Sequence, residues 1–250
     1  MRKTLLIAAA ALAASVISSQ AQVYSQNIVG YVNKPVPTGF VSIANPLDAS
    51  DSSGVNNAIT NTLAVFSGAY DGAALYRWTG SGYAIYTIDS SWPTGVGNAL
   101  DTAAVAPPVF NPGTAFYLNN NTGVAQTNTF VGTVHIDAAA TGVQVVGQST
   151  NAVPTGQFFY ASKLPIGGGL ASVLQFPALS GAFDGANVYV PNIVSGAIAG
   201  YTTYTVDSGW STGFGNALDT AQVAEPSISV GSGFLLNNNT GSAHDWVQAL

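Results

Sequence analysis

The sequence predicts an all-β fold: two homologous antiparallel units in tandem, each a small sandwich or half-barrel, with little helix. Three observations predict it. The stretch Asp89 to Gly123 returns as Asp207 to Gly241 without a gap, identical at 23 of 35 positions. A constant offset of 118 over that length marks one duplicated unit. Outside it, β-branched and aromatic residues recur in short runs cut by Gly, Pro, Asn and Asp, the composition of strands and turns. The chain has no Cys, so the fold must rest on burial and backbone hydrogen bonds rather than on disulfides or a thiolate zinc site.

Taken in order, residues 1–21 read as a signal peptide. Met1, Arg2 and Lys3 form a basic start, Leu5 to Ile17 is a short Ala-rich apolar run, and Ser19-Gln20-Ala21 is a small-x-small cleavage site. The run is too short to span a bilayer comfortably, and no later segment is long and apolar enough. A secreted protein is expected, placed outside the cell, on its surface or in the periplasm. Repeat 1 occupies 22–140 and repeat 2 occupies 141–250.

Within repeat 1, Phe40 to Ala44 follows a Pro-Thr-Gly turn and reads as a strand. Ala74 to Trp78 and Tyr83 to Ile88, joined by Thr79-Gly80-Ser81-Gly82, read as a hairpin. Thr114 to Leu118 is a further strand ended by the Asn119-Asn120-Asn121-Thr122-Gly123 turn, and Thr129 to Ile136 closes the unit. Repeat 2 offers the same signals, with Phe158 to Ala161 and the Tyr201/Tyr204 pair in place of Tyr83/Tyr86. The offset changes from 117 to 113 to 118 along the chain, which predicts a shorter loop near 167–180 and a longer surface loop from Asn192 to Gly200. Ile59, Leu63 and Phe66 fall at helical spacing before Gly68, and Asn98 to Val105 could form one further helical turn.

Without Arg2 and Lys3, three basic residues (Lys34, Arg77, Lys163) stand against eleven acidic ones, a net charge of about −8. Such a chain cannot neutralise a phosphate backbone, so nucleic acid is excluded as a partner. Charged residues make up 6% of the sequence, where an ordinary domain carries about 25%. A surface built instead of Ser, Thr, Asn, Gln, Gly and Ala offers little repulsion between copies and permits self-association.

The residues that repeat are the candidates for chemistry. Trp92 and Trp210, with Tyr86 and Tyr204 nearby, would form a platform for a sugar face if exposed. The competing and stronger reading is a repeated core or loop anchor. Residues three apart on a strand face opposite ways, so at most one of each pair Tyr83/Tyr86 and Tyr201/Tyr204 points inward. Asp89, Asp101, Asp207 and Asp219 offer the oxygen donors calcium requires. Their wide spacing, and the Asx-turn habit of Asp before Ser, favour turns instead. Gly95-x-Gly97 and Gly213-x-Gly215 lack the third Gly and the Lys of a phosphate loop. His135 and His244 occupy non-equivalent places, and the G-x-S-x-G and H-E-x-x-H patterns are missing.

Several marks also carry a family resemblance: the run Gly39 to Leu47 (GFVSIANPL), Tyr76-Arg77-Trp78, Tyr83-x-x-Tyr86, Asn111-Pro112-Gly113-x-x-Phe116-Tyr117, and the leading run Val23 to Asn33. Together they resemble a loosely defined class of exported bacterial β-repeat modules with G-F-x-L-I-x-N-P-L, Y-x-W and P-G-x-G-F-Y strands. Repeat 2 departs from the pattern, with Pro191 near the place of Trp78 and Ala161 to Pro165 in place of Asn-Pro-Leu. The resemblance implies a secreted, non-enzymatic role and brings no catalytic residues.

The function expected is therefore a structural or cell-surface protein that is not an enzyme, takes no cofactor, and partners itself through edge strands such as Gln26 to Val32 and Asp245 to Leu250. An extracellular carbohydrate-binding module with polysaccharide as partner is the alternative. A glycan-active hydrolase, needing two facing carboxylates, is the third reading.

Overall fold

The computed structural model describes residues 29–50, 56–137 and 147–250. The proposed signal segment, Asp51 and the expected repeat boundary at 140/141 lie outside the described residues. Of the described residues, strand accounts for 46% and helix for 3%, an all-β fold. Among the described residues no helix is long and apolar enough to cross a membrane.

Strands β1 (Val29–Val36), β2 (Gly39–Ala44), β3 (Ala74–Trp78), β4 (Tyr83–Ile88), β5 (Val96–Asn98), β6 (Ala115–Asn120) and β7 (Gln126–Thr133) form the first half. The second half runs β8 (Gln148–Val153), β9 (Gly156–Ala161), β10 (Gly168–Gly169), β11 (Asn187–Val194), β12 (Ala197–Val206), β13 (Phe214–Gly215), β14 (Ser227–Ile228), β15 (Gly233–Asn238) and β16 (His244–Ala249). The first half holds a five-stranded sheet ordered β2-β6-β3-β4-β5, and the second a sheet ordered β9-β15-β11-β12-β13. β1 pairs with β7, and β8 with β16, as separate antiparallel ribbons.

Alternation along these strands gives each sheet two apolar faces. One face of the first sheet joins Val41, Ile43, Leu75, Phe116 and Leu118 to Ile59, Leu63 and Phe130 in a buried cluster. The second half has its own cluster around Val188, Phe214, Phe234, Leu236 and Trp246. The other faces meet each other, burying Ala44, Ala115, Tyr117, Phe159, Ala161 and Leu235. The halves therefore have two cores and share a third layer between them.

That layer is joined symmetrically. Ala44 N donates to Gly231 O and Ala161 N donates to Gly113 O, each at 2.9 Å. These residues correspond through the repeat, since Gly39 and Gly156 occupy the same register position opposite Asn120 and Asn238. At the centre Ala115 faces its own counterpart, Gly233. A Cβ on Gly233 would lie 2.1 Å from that of Ala115, so two alanines cannot share this place.

Several local expectations change. The Asn119-Asn120 pair continues β6 rather than turning, and buried Asn120 donates to Val36 O at 3.3 Å and Val124 O at 2.9 Å. Thr129 to Ile136 becomes Gln126–Thr133, set by pairing with β1. The helical stretch shrinks to one turn, Ile59–Thr62, and a 3-10 turn, Val65–Ser67, with Phe66 exposed and Val65 buried in its stead. Asn98 to Val105 is not helical, because the Asn98 carboxamide accepts the N–H groups of Leu100 and Thr102 and closes a tight loop. The Asn192 to Gly200 insertion is no free loop either. It lengthens the β11–β12 hairpin until Gly196 O accepts Phe40 N at 2.7 Å, against Gly39, where a Cβ would lie 2.3 Å from Gly196 O.

Candidate functional site

The repeated loops come first. Trp92 Nε1 donates to Asp101 Oδ1 and Trp210 Nε1 donates to Asp219 Oδ1, both at 2.7 Å. Asp101 and Asp219 hold φ of +55° and +53°, a left-handed backbone that Asp tolerates and that turns each carboxylate back onto the indole. Gly97 and Gly215 lie beneath these pairs, where a Cβ would come within 2.4 Å and 2.1 Å of the carboxylates. Both Trp side chains are half-buried, their N–H groups committed to their own loops. Tyr86 and Tyr204 pack against the two cores, while Tyr83 and Tyr201, each 37% exposed, take the opposite face. The exposed tyrosine of each pair is thus Tyr83 or Tyr201, not the Tyr86 or Tyr204 expected to bind.

The aspartates serve the same loops. Asp89 Oδ1 accepts Ser91 N, and Asp207 Oδ1 accepts Gly209 N, both at 2.7 Å. Hydrogen bonding from Ser91 holds Asp89 below the usual carboxylate range. Asp71 and Asp184 each take the backbone N–H and hydroxyl of a serine, Ser90 and Ser208. Among the described residues no three His, Cys, Asp or Glu side chains gather as a metal site.

A polar cluster confined to the first half surrounds Asp48. Its Oδ1 accepts Ser50 N and Asn57 Nδ2, both at 2.9 Å, and its Oδ2 lies 3.4 Å from His135 Nδ1. Burial would raise the Asp48 pKa, but bonds from Ser50, Asn57 and His135 together hold it below its ordinary value. Ser50 Oγ donates to Asp48 at 2.5 Å, which places the carboxylate between hydroxyl and imidazole. In a nucleophilic relay the imidazole stands in the middle.

A concavity lies elsewhere, between the halves. β3 pairs with β6 only as far as Tyr76, and beyond it Arg77, Trp78 and Thr79 splay away from Thr114 and Ala115. Phe158 and Tyr160 of β9 close the opening, leaving a groove of about 420 Å³, within the range of small-ligand sites. Its rings are fixed. Trp78 Nε1 donates to Gln157 O at 2.7 Å and its indole meets Tyr83 edge-on at 5.0 Å. Tyr160 OH donates to Ala152 O at 3.3 Å.

A second groove of about 200 Å³ occupies the corresponding place, lined by Val41, Ser42, Val190, Pro191, Ser232 and Gly233 among others. β11 likewise leaves β15 after Tyr189. Val190 and Pro191 stand where the first groove has Arg77 and Trp78, and Val41 where it has Phe158. In the sequence Arg77, Trp78, Phe158 and Tyr160 stood out only as strand residues, because chemistry was expected of the residues that repeat. The signal was the reverse, the positions at which two otherwise alike copies differ.

Comparison with family models, with curated proteins and with solved structures returns no match to this chain.

Proposed function

We propose that the protein is an exported, non-enzymatic structural protein of the cell surface or matrix that associates with copies of itself. The observation that carries this reading is what the repeated loops do with their side chains. Their aspartates, asparagines and tryptophans are turned inward onto the backbone and side chains of their own loops. Leu100 and Leu218, at equivalent loop tips, are each 81% exposed. Asn98 and Asn216 brace these tips by accepting the Leu100 and Leu218 N–H groups at 3.2 Å and 3.1 Å, so each leucine is held in water by a rigid turn. Tyr31 and Val131, paired across β1 and β7, add an apolar patch at 74% and 60% exposure. With charge at 6% of residues, little repulsion opposes contact between such patches. The inward commitment of the carboxylates also supports the non-enzymatic part of the proposal, in keeping with the resemblance to exported β-repeat modules.

Sedimentation velocity over a hundredfold concentration range tests it. The expected result is a concentration-dependent rise in mass that Leu100→Ser with Leu218→Ser diminishes. A monomer at every concentration would sink the proposal.

A further inference from the structure

We infer that the groove between the halves binds a uronate sugar, its carboxylate on Arg77 and its ring against Trp78 and Phe158. The groove and its counterpart arise from one duplicated scaffold, with the same strand order and the same early parting of strands. Had both been packing defects, nothing would require them to diverge in kind. One carries a guanidinium, an indole and four further aromatic rings. The other carries Val190, Pro191, Val41 and serines in half the volume. Pro191 brings neither an aromatic ring nor an N–H.

Charge sharpens the assignment. Three cations lie in the described residues. Lys34 Nζ donates to Ser232 Oγ and Lys163 Nζ donates to Thr150 O, so both ammonium groups are engaged internally. Arg77 is exposed, and its guanidinium has no hydrogen-bond or carboxylate partner among the described residues. Among the described residues Arg77 is the one cation without an internal partner, and it lines the aromatic groove. A guanidinium fork matches a carboxylate through two parallel N–H bonds. Aromatic rings offer an apolar face to a sugar ring, and Trp78 is held in place before any ligand arrives. Past Tyr76 the β3 edge is no longer paired with β6, so backbone polar groups there are available to ring hydroxyls. A carboxylate on a hydroxylated ring satisfies all three; a neutral sugar leaves Arg77 unused, and a simple aromatic acid leaves the strand edge unused.

The test is calorimetric titration of the chain, purified from an export host, at low salt. The probes are galacturonate, glucuronate, mannuronate and guluronate trisaccharides, the methyl ester of trigalacturonate, and benzoate. At least one uronate trisaccharide is expected to bind, more tightly than the neutral ester or benzoate. Arg77→Gln should weaken it about tenfold or more, the worth of a hydrogen bond to a charged group, with an unchanged melting temperature. Phe158→Val, which installs the residue found at position 41, should weaken uronate and ester alike. Saturable binding absent for every uronate at millimolar concentration, equal binding of the ester, tighter binding of benzoate, or an unchanged affinity in Arg77→Gln would each overturn the inference. Sedimentation of the same samples separates this outcome from that of self-association, which needs no ligand.

Discussion

Replacing Gly233 with alanine should open the layer between the halves. The added Cβ would lie 2.1 Å from the Ala115 Cβ and 2.7 Å from Tyr160 O, both distances that bonded neighbours alone reach. Neither obstacle is a flexible side-chain end. Ala115 is on β6 and Tyr160 O belongs to the strand paired with β15, so backbone must shift. The same glycine holds Ser42, whose Oγ accepts Gly233 N at 2.8 Å and donates to Gly233 O at 2.9 Å, both buried. Overpacking a close-packed site costs about 1–3 kcal/mol, and a buried bond lost with it about 1 more. At about 2–4 °C per kcal/mol for a chain of this size, the melting temperature should fall by roughly 5–15 °C. Ala115→Gly in the same chain moves the methyl across the symmetric contact. It should recover part of the loss but not the part due to Tyr160 O. Thermal unfolding followed by circular dichroism measures all three variants. A Gly233→Ala protein that melts with the wild type would refute the reasoning, and with it the claim that the two sheets are in close contact there.

Tyr70→Phe should be neutral or stabilise by about 1 kcal/mol, because the Tyr70 hydroxyl is buried without a partner and Phe183 fills the corresponding place in the second half; urea midpoints decide, and a clear loss would show an unseen partner. Asp101→Ala and Asp219→Ala should each cost about 1–2 kcal/mol, removing an indole partner and an aspartate suited to positive φ. The two losses should add, since the loops are separate, and Trp emission should shift to the red in each. In acid, Asp48 and Glu225 matter: both are held below their ordinary pKa by hydrogen bonds that outweigh burial, from Ser50, Asn57 and His135 in one and from Ser172 and Ala171 in the other. Their contribution is complete above about pH 4.5 and declines as pH falls through the lowered values, so the urea midpoint should drop as pH falls below about 4.5, less so in Asp48→Asn with Glu225→Gln. In base the sign reverses. Burial pushes the Tyr70 and Tyr160 hydroxyls up to about 12, and the unfolded chain ionises them first, so stability should decline above about pH 10 while tyrosinate absorbance lags until unfolding.

The sequence by itself determined the class, and two pieces of local chemistry account for that. Strand-forming runs broken by Gly, Pro, Asn and Asp read correctly as β, and the Gly80-Ser81 hairpin appears where it was expected, with Thr79 N on Gly82 O at 2.9 Å. Asp89 before Ser91 made the Asx turn its spacing implied. These outcomes depend on neighbours within a few residues, which the sequence displays directly. Element ends fared worse wherever a distant partner chose them: Asn120 stayed in a strand because Val36 and Val124 supply acceptors, and Asn192 to Gly200 paired because Gly39 lies beneath its tip. The tertiary structure alone decided that Trp92 meets Asp101 through its N–H. It alone decided that the second faces of the two sheets bury each other, and that Arg77, Trp78, Phe158 and Tyr160, some eighty residues apart, face one opening. Repetition in sequence records what both copies need in order to fold. A groove between the copies is lined by residues from each, so its character depends on how they differ, and only their packing shows which differences meet.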